Sequence, residues 1–125
     1  PDRGGHISPC RWMLEAGLPL NLHQDFPVTQ PDMLQSIWCA VNRLSRTGQA
    51  LGPDQRIDPY DAFRAACWGG AYGYHEEDCK GTLEPGKRAD LVILDRDPFT
   101  VPPISLRDLR VLATIKDGVE VYRAP

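Results

Sequence analysis

The spacing of the apolar residues changes near residue 80, and this change limits the folds that the chain can adopt. Between residues 31 and 44 apolar side chains recur every three or four positions, which predicts an amphipathic helix that begins at Pro31 and ends at Gly48. From Gly81 onward they form short runs separated by turn residues, a pattern that predicts strands. We therefore expect an α/β fold with helices before residue 80 and strands after it.

A short helix followed by a short strand is predicted near the start of the chain. Ser8 is a typical helix cap, and Gly17 is a typical helix end. Leucine then alternates with other residues from Leu18 to His23, which predicts a strand with its leucines on one face. A helix, a glycine and a strand in this order are typical of one repeat of an α/β fold.

A further helix is predicted after a loop that covers residues 49–57. Asp58 is expected to cap this helix, Pro59 to occupy its first position, and Gly69-Gly70 to weaken or break it near its end. The three tryptophans lie in helical patterns and are expected to be core residues. They are Trp12, Trp38 and Trp68.

The last third of the chain predicts antiparallel strands. Residues 89–95 form an apolar run, which predicts a buried strand. Asp117-Gly118 separates two further apolar segments and favours a type I′ turn, so a hairpin is predicted beside that strand. Pro85-Gly86 predicts a type II turn ahead of the strands.

Composition excludes several classes of partner. The formal net charge is -3 and no basic stripe is present, so we expect no nucleic-acid binding. No apolar run approaches the roughly 18 residues that a membrane helix needs, and no signal peptide is visible, so we expect a cytoplasmic protein with no membrane partner. The four scattered cysteines are expected to be free thiols. The first residue is Pro1 and not Met, so we expect a longer translated product.

His23 and Asp25 are the strongest candidates for chemistry. They lie two positions apart, so on a strand they would project to one side. They also follow the predicted strand at its C-terminal end, where barrel and open α/β folds place their sites. A carboxylate there can bind a divalent metal or take a proton from metal-bound water. A solvated or capping pair is the other interpretation of the same pattern.

A second pair, His75 and Cys79, is a weaker candidate for metal binding. The two residues lie four positions apart and would face the same way on a helix. The residues between them are charged, and Gly81 follows closely. A solvated loop is therefore the favoured interpretation.

Four stretches of the chain carry a resemblance to a known family. They are SPCRWMLEAGLP with HQDFPVT, then IDPYDA, then GTLEPGKRADLVIL, and last GVEVY. In this order they resemble the C-terminal part of the metal-dependent amidohydrolase superfamily, in the branch that contains N-substituted formamide deformylase (amidohydrolase family 3). The third stretch, residues 81–94, is the most specific part of the resemblance.

The resemblance implies a fold that is larger than this chain. Members of the family have a (β/α)₈ barrel, also called a TIM barrel, and a small β-sandwich domain. For residues 1–80 the resemblance implies the last α/β repeat of the barrel and the helices that follow it. For residues 81–125 it implies antiparallel strands of the small β-sandwich domain.

The resemblance also implies a metal centre at the C-terminal ends of the barrel strands, usually with zinc. Its ligands in the family are a His-x-His pair, a Lys or Glu, two later histidines and an Asp on the eighth strand. Asp25 matches that Asp, which contacts the metal or its hydroxide and acts as general base and acid. We assign His23, beside it, to substrate binding. No residue of this chain matches the other ligands, and no His-x-His occurs.

The implied activity of the parent protein is hydrolysis of a non-peptide carbon–nitrogen bond, such as an amide or formamide, in a small-molecule substrate. The isolated chain is expected to be inactive and to bind zinc weakly or not at all, because a catalytic zinc site normally has three or more protein ligands. A non-catalytic structural or protein-interaction module derived from the same fold is the alternative.

A single barrel repeat would leave apolar surface uncovered. The predicted helix over residues 31–48 and the predicted strand over residues 18–22 would both lack neighbours. Each large apolar side chain left in water costs about 1.5–3 kcal/mol. We therefore expect a homo-oligomer, unless the helices fold back over the strand within one chain.

Overall fold

The computed structural model describes residues 2–125, and Pro1, which led us to expect a longer translated product, lies outside the described residues. In this described part of the chain four helices precede three strands, as the change in apolar spacing predicts, with one short 3₁₀ segment among the helices and another among the strands. The elements are α1 (Asp2–Gly5), α2 (Cys10–Glu15), α3 (Met33–Asn42), the 3₁₀ segment Pro53–Gln55, α4 (Pro59–Tyr72), β1 (Leu91–Leu94), the 3₁₀ segment Pro103–Asp108, β2 (Val111–Lys116) and β3 (Val119–Arg123).

The start of α2 differs from the prediction. Pro9 occupies the cap position, and no side chain caps the helix. Ser8 has a φ of 49°, and it is the backbone carbonyl of Ser8 that accepts the N–H of Cys10, at 2.8 Å. The hydroxyl of Ser8 therefore does not have the predicted role. The end of α2 agrees with the prediction, because Gly17 adopts a φ of 67° directly after the C-cap residue Ala16.

The start of α3 is set by an aspartate. Oδ1 of Asp32 accepts the backbone N–H groups of Leu34 and Gln35 at 3.0 and 3.3 Å, which satisfies two donors that the first turn leaves open. The predicted start at Pro31 is therefore two residues before the first helical residue, Met33.

The end of α3 is set by Arg43, well before Gly48, where the sequence predicts it. Arg43 adopts a left-handed φ of 53° and is only 8% exposed. The Nε, Nη1 and Nη2 atoms of its guanidinium donate to the carbonyl oxygens of Leu51, Ser8 and Gly5, in that order, at 2.9, 2.9 and 3.2 Å. These contacts reach parts of the chain that are distant in sequence, so no local pattern indicates them.

The predicted strand over residues 18–23 is not a strand. These residues have no regular secondary structure, because no other part of the described chain pairs with their backbone, and a strand requires a hydrogen-bonded neighbour. The alternation is realised in part: Leu20 is 7% exposed, while Leu18 is 53% exposed. The helix of the predicted α/β repeat is therefore present, but its strand is replaced by an irregular segment with one buried leucine, Leu20.

Helix α4 begins as predicted and continues through its two glycines. Oδ1 of Asp58 accepts the N–H of Asp61 at 2.9 Å, and Pro59 is the first residue of the helix. The helix then runs past Gly69-Gly70 to Tyr72, so the break suggested by this pair does not occur.

The three strands form one antiparallel sheet in the order β1-β2-β3. Asp117 and Gly118 have φ values of 51° and 78°, as a type I′ hairpin turn requires, so the predicted hairpin is confirmed. The strand predicted over residues 89–95 is confirmed in position, beside β2, although it is shorter than expected. It is not buried as predicted, because Val92 and Ile93 are 53% and 46% exposed. Gly86 has a φ of 93° after Pro85, in agreement with the predicted type II turn.

The core lies between α3, α4 and the second 3₁₀ segment. Trp38 is buried there and donates its indole N–H to the carbonyl of Ile104 at 2.8 Å. Trp12 is about half exposed and lies against the His6 ring. Trp68 is half-buried, lies outside the core cluster and stacks on Tyr72. The prediction that all three tryptophans are core residues is therefore correct for Trp38 and wrong for Trp12 and Trp68. Within residues 2–125, no helix has both the length and the apolar character needed to cross a membrane.

Candidate functional site

The segment that carries His23 and Asp25, residues 20–29, is held against α4 by a close backbone contact. We call it the site segment. A Cβ atom added to Gly69 would lie 2.0 Å from the carbonyl oxygen of Leu20, far inside the contact distance of the two atoms. Glycine at position 69 therefore allows α4 to approach the site segment, and the buried side chain of Leu20 contributes to the same core.

A tight turn in the site segment orients Asp25. Asp25 has a φ of 57°, and the peptide bond between Phe26 and Pro27 is cis. The carbonyl of Asp25 accepts the N–H of Val28 at 2.7 Å. The hydroxyl of Thr29 donates to the carbonyl of Gln24. These two bonds close the turn within the segment, and the Asp25 side chain is 76% exposed.

His23 and Asp25 lie next to each other, although they are not on a strand. Nε2 of His23 is 3.5 Å from Oδ1 of Asp25, and the two side chains are 79% and 76% exposed. The sequence predicts that they share one side of a strand. In the structure a turn, and not a strand, brings the two side chains together. Two exposed side chains of this kind interact weakly in water, by about 0–1 kcal/mol, so they are free to bind other groups.

A groove of about 670 Å³ borders the site segment. Its lining includes Leu22, His23 and Gln24 on one side and the α3 residues Gln35 and Cys39 on the other. The Nε2 atom of Gln24 is buried and has no hydrogen-bond partner among the described residues. The sequence did not indicate Gln24 as a site residue. Nothing in its local pattern shows that its side-chain amide N–H group would be buried without an acceptor.

The residues present do not form a zinc site by themselves. Within residues 2–125, no group of three or more His, Cys, Asp or Glu side chains is close enough to hold a metal ion. The site segment supplies one carboxylate and one imidazole, and a catalytic zinc normally has three protein ligands. The arrangement can bind or release a proton at Asp25 and can donate hydrogen bonds from His23, which is chemistry that requires further groups to become catalytic.

The second candidate pair, His75 and Cys79, lies in the loop after α4. His75 has a φ of 59° and is exposed, so the helical spacing needed for a shared metal is not present. The Cys79 thiol donates to the carbonyl of Glu76 at 3.3 Å, and a hydrogen bond from Lys80 lowers the pKa of Glu76. The solvated-loop interpretation is confirmed.

The four cysteines are free, as predicted. Cys10 is the buried one, and its burial raises the pKa of its thiol, although the nearby Arg43 charge acts in the opposite direction. A thiol with a raised pKa is a poor nucleophile near neutral pH. Cys10 is therefore a core residue and not a second reactive group.

Comparison with known proteins gives one consistent family. The pattern of the Amidohydrolase family matches residues 1–122. N-substituted formamide deformylase from Arthrobacter pascens is 37% identical over 93% of this chain and 21% of its own length. The putative amidohydrolase YtcJ from Bacillus subtilis is 30% identical over 78% of this chain and 19% of its own length.

A solved structure agrees with the sequence matches. The amidohydrolase from Thermotoga maritima MSB8 has a TM-score of 0.67 with this chain at 25% identity. The match covers 90% of this chain and 25% of that protein. The chain thus spans about a fifth of the length of the curated relatives that it matches and a quarter of the solved one.

Proposed function

This chain belongs to the amidohydrolase family, and we propose that it forms the C-terminal part of a metal-dependent enzyme that hydrolyses non-peptide carbon–nitrogen bonds in small molecules. The relative from Arthrobacter pascens is named for removing formyl groups from N-substituted formamides, which supports an amide or formamide as the substrate class. The site that we propose is the exposed pair of His23 and Asp25 beside the groove of the site segment.

Within such an enzyme, residues 1–80 correspond in our proposal to the end of a (β/α)₈ barrel and residues 81–125 to strands of the small β-sandwich domain. The structural likeness over 90% of this chain supports this assignment. It also accounts for the irregular segment at residues 18–23. A barrel strand obtains its hydrogen bonds from the strands on either side, so the segment would become a strand once neighbours are present.

The observation that carries the proposal is the position of Asp25. Its carboxylate is exposed at the end of a segment that is firmly packed at Leu20, and it lies beside an imidazole. In our proposal Asp25 accepts the proton of the attacking water and returns it to the leaving nitrogen, while His23 donates a hydrogen bond to the substrate. The family is metal-dependent, and because residues 2–125 hold no group of three zinc ligands, the remaining ligands would lie outside this chain.

A segment exchange tests the proposal. The matched C-terminal segment of the Arthrobacter pascens deformylase would be replaced by this chain, and hydrolysis of an N-substituted formamide would be measured. We expect a folded, active hybrid. The substitution Asp25→Asn in the hybrid should lower kcat by about 100- to 10,000-fold, the usual effect of losing a general acid–base group.

The matched control is Asp78→Asn in the same hybrid. Asp78 is another exposed aspartate but lies in the loop after α4, so its substitution should leave kcat unchanged. Circular dichroism and thermal unfolding would establish that each hybrid is folded. A folded hybrid without activity, or an Asp25→Asn hybrid as active as its parent, would contradict the proposal and favour a non-catalytic module.

A further inference from the structure

The hairpin turn between β2 and β3 is an Asp-Gly pair, Asp117-Gly118, and such a pair can rearrange chemically. The backbone nitrogen of the glycine can attack Cγ of the aspartate, because glycine has no side chain to hinder the approach. A new N–Cγ bond forms, the Cγ–O bond breaks, and the oxygen leaves as water with the amide proton. Water then opens the resulting succinimide ring. Opening at the main-chain carbonyl leaves isoaspartate, in which the backbone runs through Cγ.

Three consecutive residues hold this turn, and we call Arg88, Ala89 and Asp90 the turn clamp. The guanidinium of Arg88 donates to Oδ1 and Oδ2 of Asp117 at 2.7 and 2.8 Å. The carbonyl of Ala89 accepts the N–H of Gly118 at 3.0 Å. Oδ1 of Asp90 accepts the N–H of Asp117 at 2.8 Å. Both groups that would react, the Asp117 carboxylate and the Gly118 nitrogen, are therefore already bonded to the clamp.

The bonds from Arg88 act on the carboxylate. They lower the pKa of Asp117, so the group stays ionised, and an ionised carboxylate accepts a nucleophile less readily than the protonated acid does. A bidentate pair also fixes the orientation of the carboxyl group. Cγ is therefore not free to turn toward the nitrogen of Gly118.

The bond to Ala89 acts on the nucleophile. The nitrogen of Gly118 has to lose its proton before it can attack, and the carbonyl of Ala89 holds that proton in a hydrogen bond. Water, in contrast, reaches the turn, because the side chains of Arg88 and Asp117 are 40% and 51% exposed. Ring closure, and not the later hydrolysis, is thus the step that the clamp opposes.

We propose that Asp117-Gly118 is a latent site of isoaspartate formation and that the turn clamp keeps it unreactive. The clamp lies in the stretch of residues 81–94, which has no part in the proposed site, and all of its contacts are made within this chain. Isoaspartate would lengthen the backbone of a two-residue turn, and the length of the turn fixes the register of the strands that it joins. The inference does not rest on the proposed function.

The rate of isoaspartate formation tests the inference. The 125-residue chain and a synthetic peptide of residues 111–123, which lacks the clamp, would be kept at neutral pH for several weeks. An arginine-specific protease releases residues 111–123 from the chain, and Asp117 is the only aspartate in that segment. Reversed-phase chromatography then separates its aspartate and isoaspartate forms. We expect isomerisation at least about tenfold slower in the folded chain, which corresponds to about 1.4 kcal/mol for local opening of the turn.

Two arginine variants show whether the clamp is the cause. Arg88→Gln removes both bonds to the carboxylate and should speed isomerisation of the folded chain about two- to fivefold, the change expected from loss of one exposed ion pair. The matched control is Arg96→Gln. Arg96 is 47% exposed and pairs with Asp95 at 3.6 Å, at the other end of β1 from the clamp, so this variant should isomerise at the wild-type rate.

Three results would overturn the inference: a folded wild-type chain that isomerises as fast as the peptide, an Arg88→Gln variant that isomerises at the wild-type rate, and equal acceleration in both variants. Circular dichroism would establish that the variants are folded. If Arg88→Gln does not fold, concentrated sodium chloride decides, because salt screens an exposed ion pair. Salt should then speed isomerisation in the wild-type chain and not in the peptide, and the absence of this difference would contradict the inference.

Discussion

Asp32 and Asp58 begin the two long helices through the same contact, a carboxylate oxygen that accepts backbone N–H groups of the first turn. Ser8 precedes α2 in a sequence that favours the same role, yet its side chain makes no such bond. The difference lies in Pro9, which occupies the cap position itself. A residue type that favours capping thus needs the correct position relative to the first turn.

This difference predicts unequal effects of two substitutions. Asp58→Ala should lower the free energy of unfolding by about 1 kcal/mol, because the first turn of α4 loses a bonded acceptor. Ser8→Ala should change it by less than about 0.5 kcal/mol, since the hydroxyl caps nothing. Urea unfolding of the two variants beside the wild-type chain checks both. Equal losses would mean that Ser8 caps α2 in solution.

A second prediction at the residue scale concerns the ion pair between Arg88 and Asp117. The guanidinium donates to both carboxylate oxygens at 2.7 and 2.8 Å, and these bonds lower the pKa of Asp117. A lowered pKa in the folded state means that the pair stabilises the protein above the ordinary aspartate pKa of about 3.9 and that this contribution is lost as the pH falls below it.

Asp117→Asn should therefore reduce the urea midpoint near neutral pH and have a smaller effect once the pH falls below the ordinary aspartate pKa of about 3.9, where the unfolded carboxyl takes up a proton. Asparagine tolerates the left-handed φ of this position, so the turn itself is retained. Arg88→Gln in the Asp117→Asn background should add little near neutral pH, because the main partner has already gone and Asp90, the other carboxylate, lies 3.9 Å away. A pH-independent difference between Asp117→Asn and wild type would show that the ion pair does not form.

At the scale of elements, the contact between α4 and the site segment controls where Asp25 lies. Gly69 approaches the Leu20 carbonyl closely, and its neighbour Gly70 meets nothing within 4 Å of an added Cβ atom. Two adjacent glycines in one helix therefore have different roles. One permits the packing of two elements, and the other only lowers helix propensity.

The two glycines should respond in opposite directions to the same substitution. Gly69→Ala should destabilise the fold by about 1–3 kcal/mol, because the new methyl group forces backbone apart. Gly70→Ala should stabilise it by up to about 1 kcal/mol through helix propensity. Thermal unfolding measures both, and a stabilised Gly69→Ala variant would contradict the observed contact.

At the scale of the whole molecule, the site segment is in our proposal one edge of a site that needs further residues. The described residues provide neither the ligand number for zinc nor the strands on either side of residues 18–23. The Amidohydrolase match and the structural likeness place the same segment within proteins four to five times as long. We therefore propose that residues from outside this chain complete the site.

Metal content gives a test at this scale. The purified 125-residue chain should contain clearly less than one equivalent of zinc after dialysis, because one carboxylate binds the ion weakly. Asp25→Asn should leave that content unchanged. Elemental analysis that finds stoichiometric zinc in the wild-type chain, and its loss in Asp25→Asn, would show that Asp25 has ligands which the structure does not bring together.

The elements that the sequence alone determined are those that depend on neighbouring residues. The Asp58 cap, the apolar stripe of α3 and the Asp117-Gly118 turn are all set within a few positions along the chain, because helix caps, helix faces and tight turns are local hydrogen-bonded structures. The proximity of His23 and Asp25 was predictable for the same reason. The two residues are only two positions apart in the sequence, so either a strand or a turn can bring their side chains together.

Tertiary structure decided what depends on distant residues. The alternation in residues 18–23 predicts a strand, but a strand exists only when another segment supplies its hydrogen bonds, and the described chain supplies none. Arg43 ends α3 through carbonyls far away in sequence, and Gly69 matters only because Leu20 lies against it. The groove beside Gln24 and the turn clamp follow from packing in the same way, so no local pattern could have shown them.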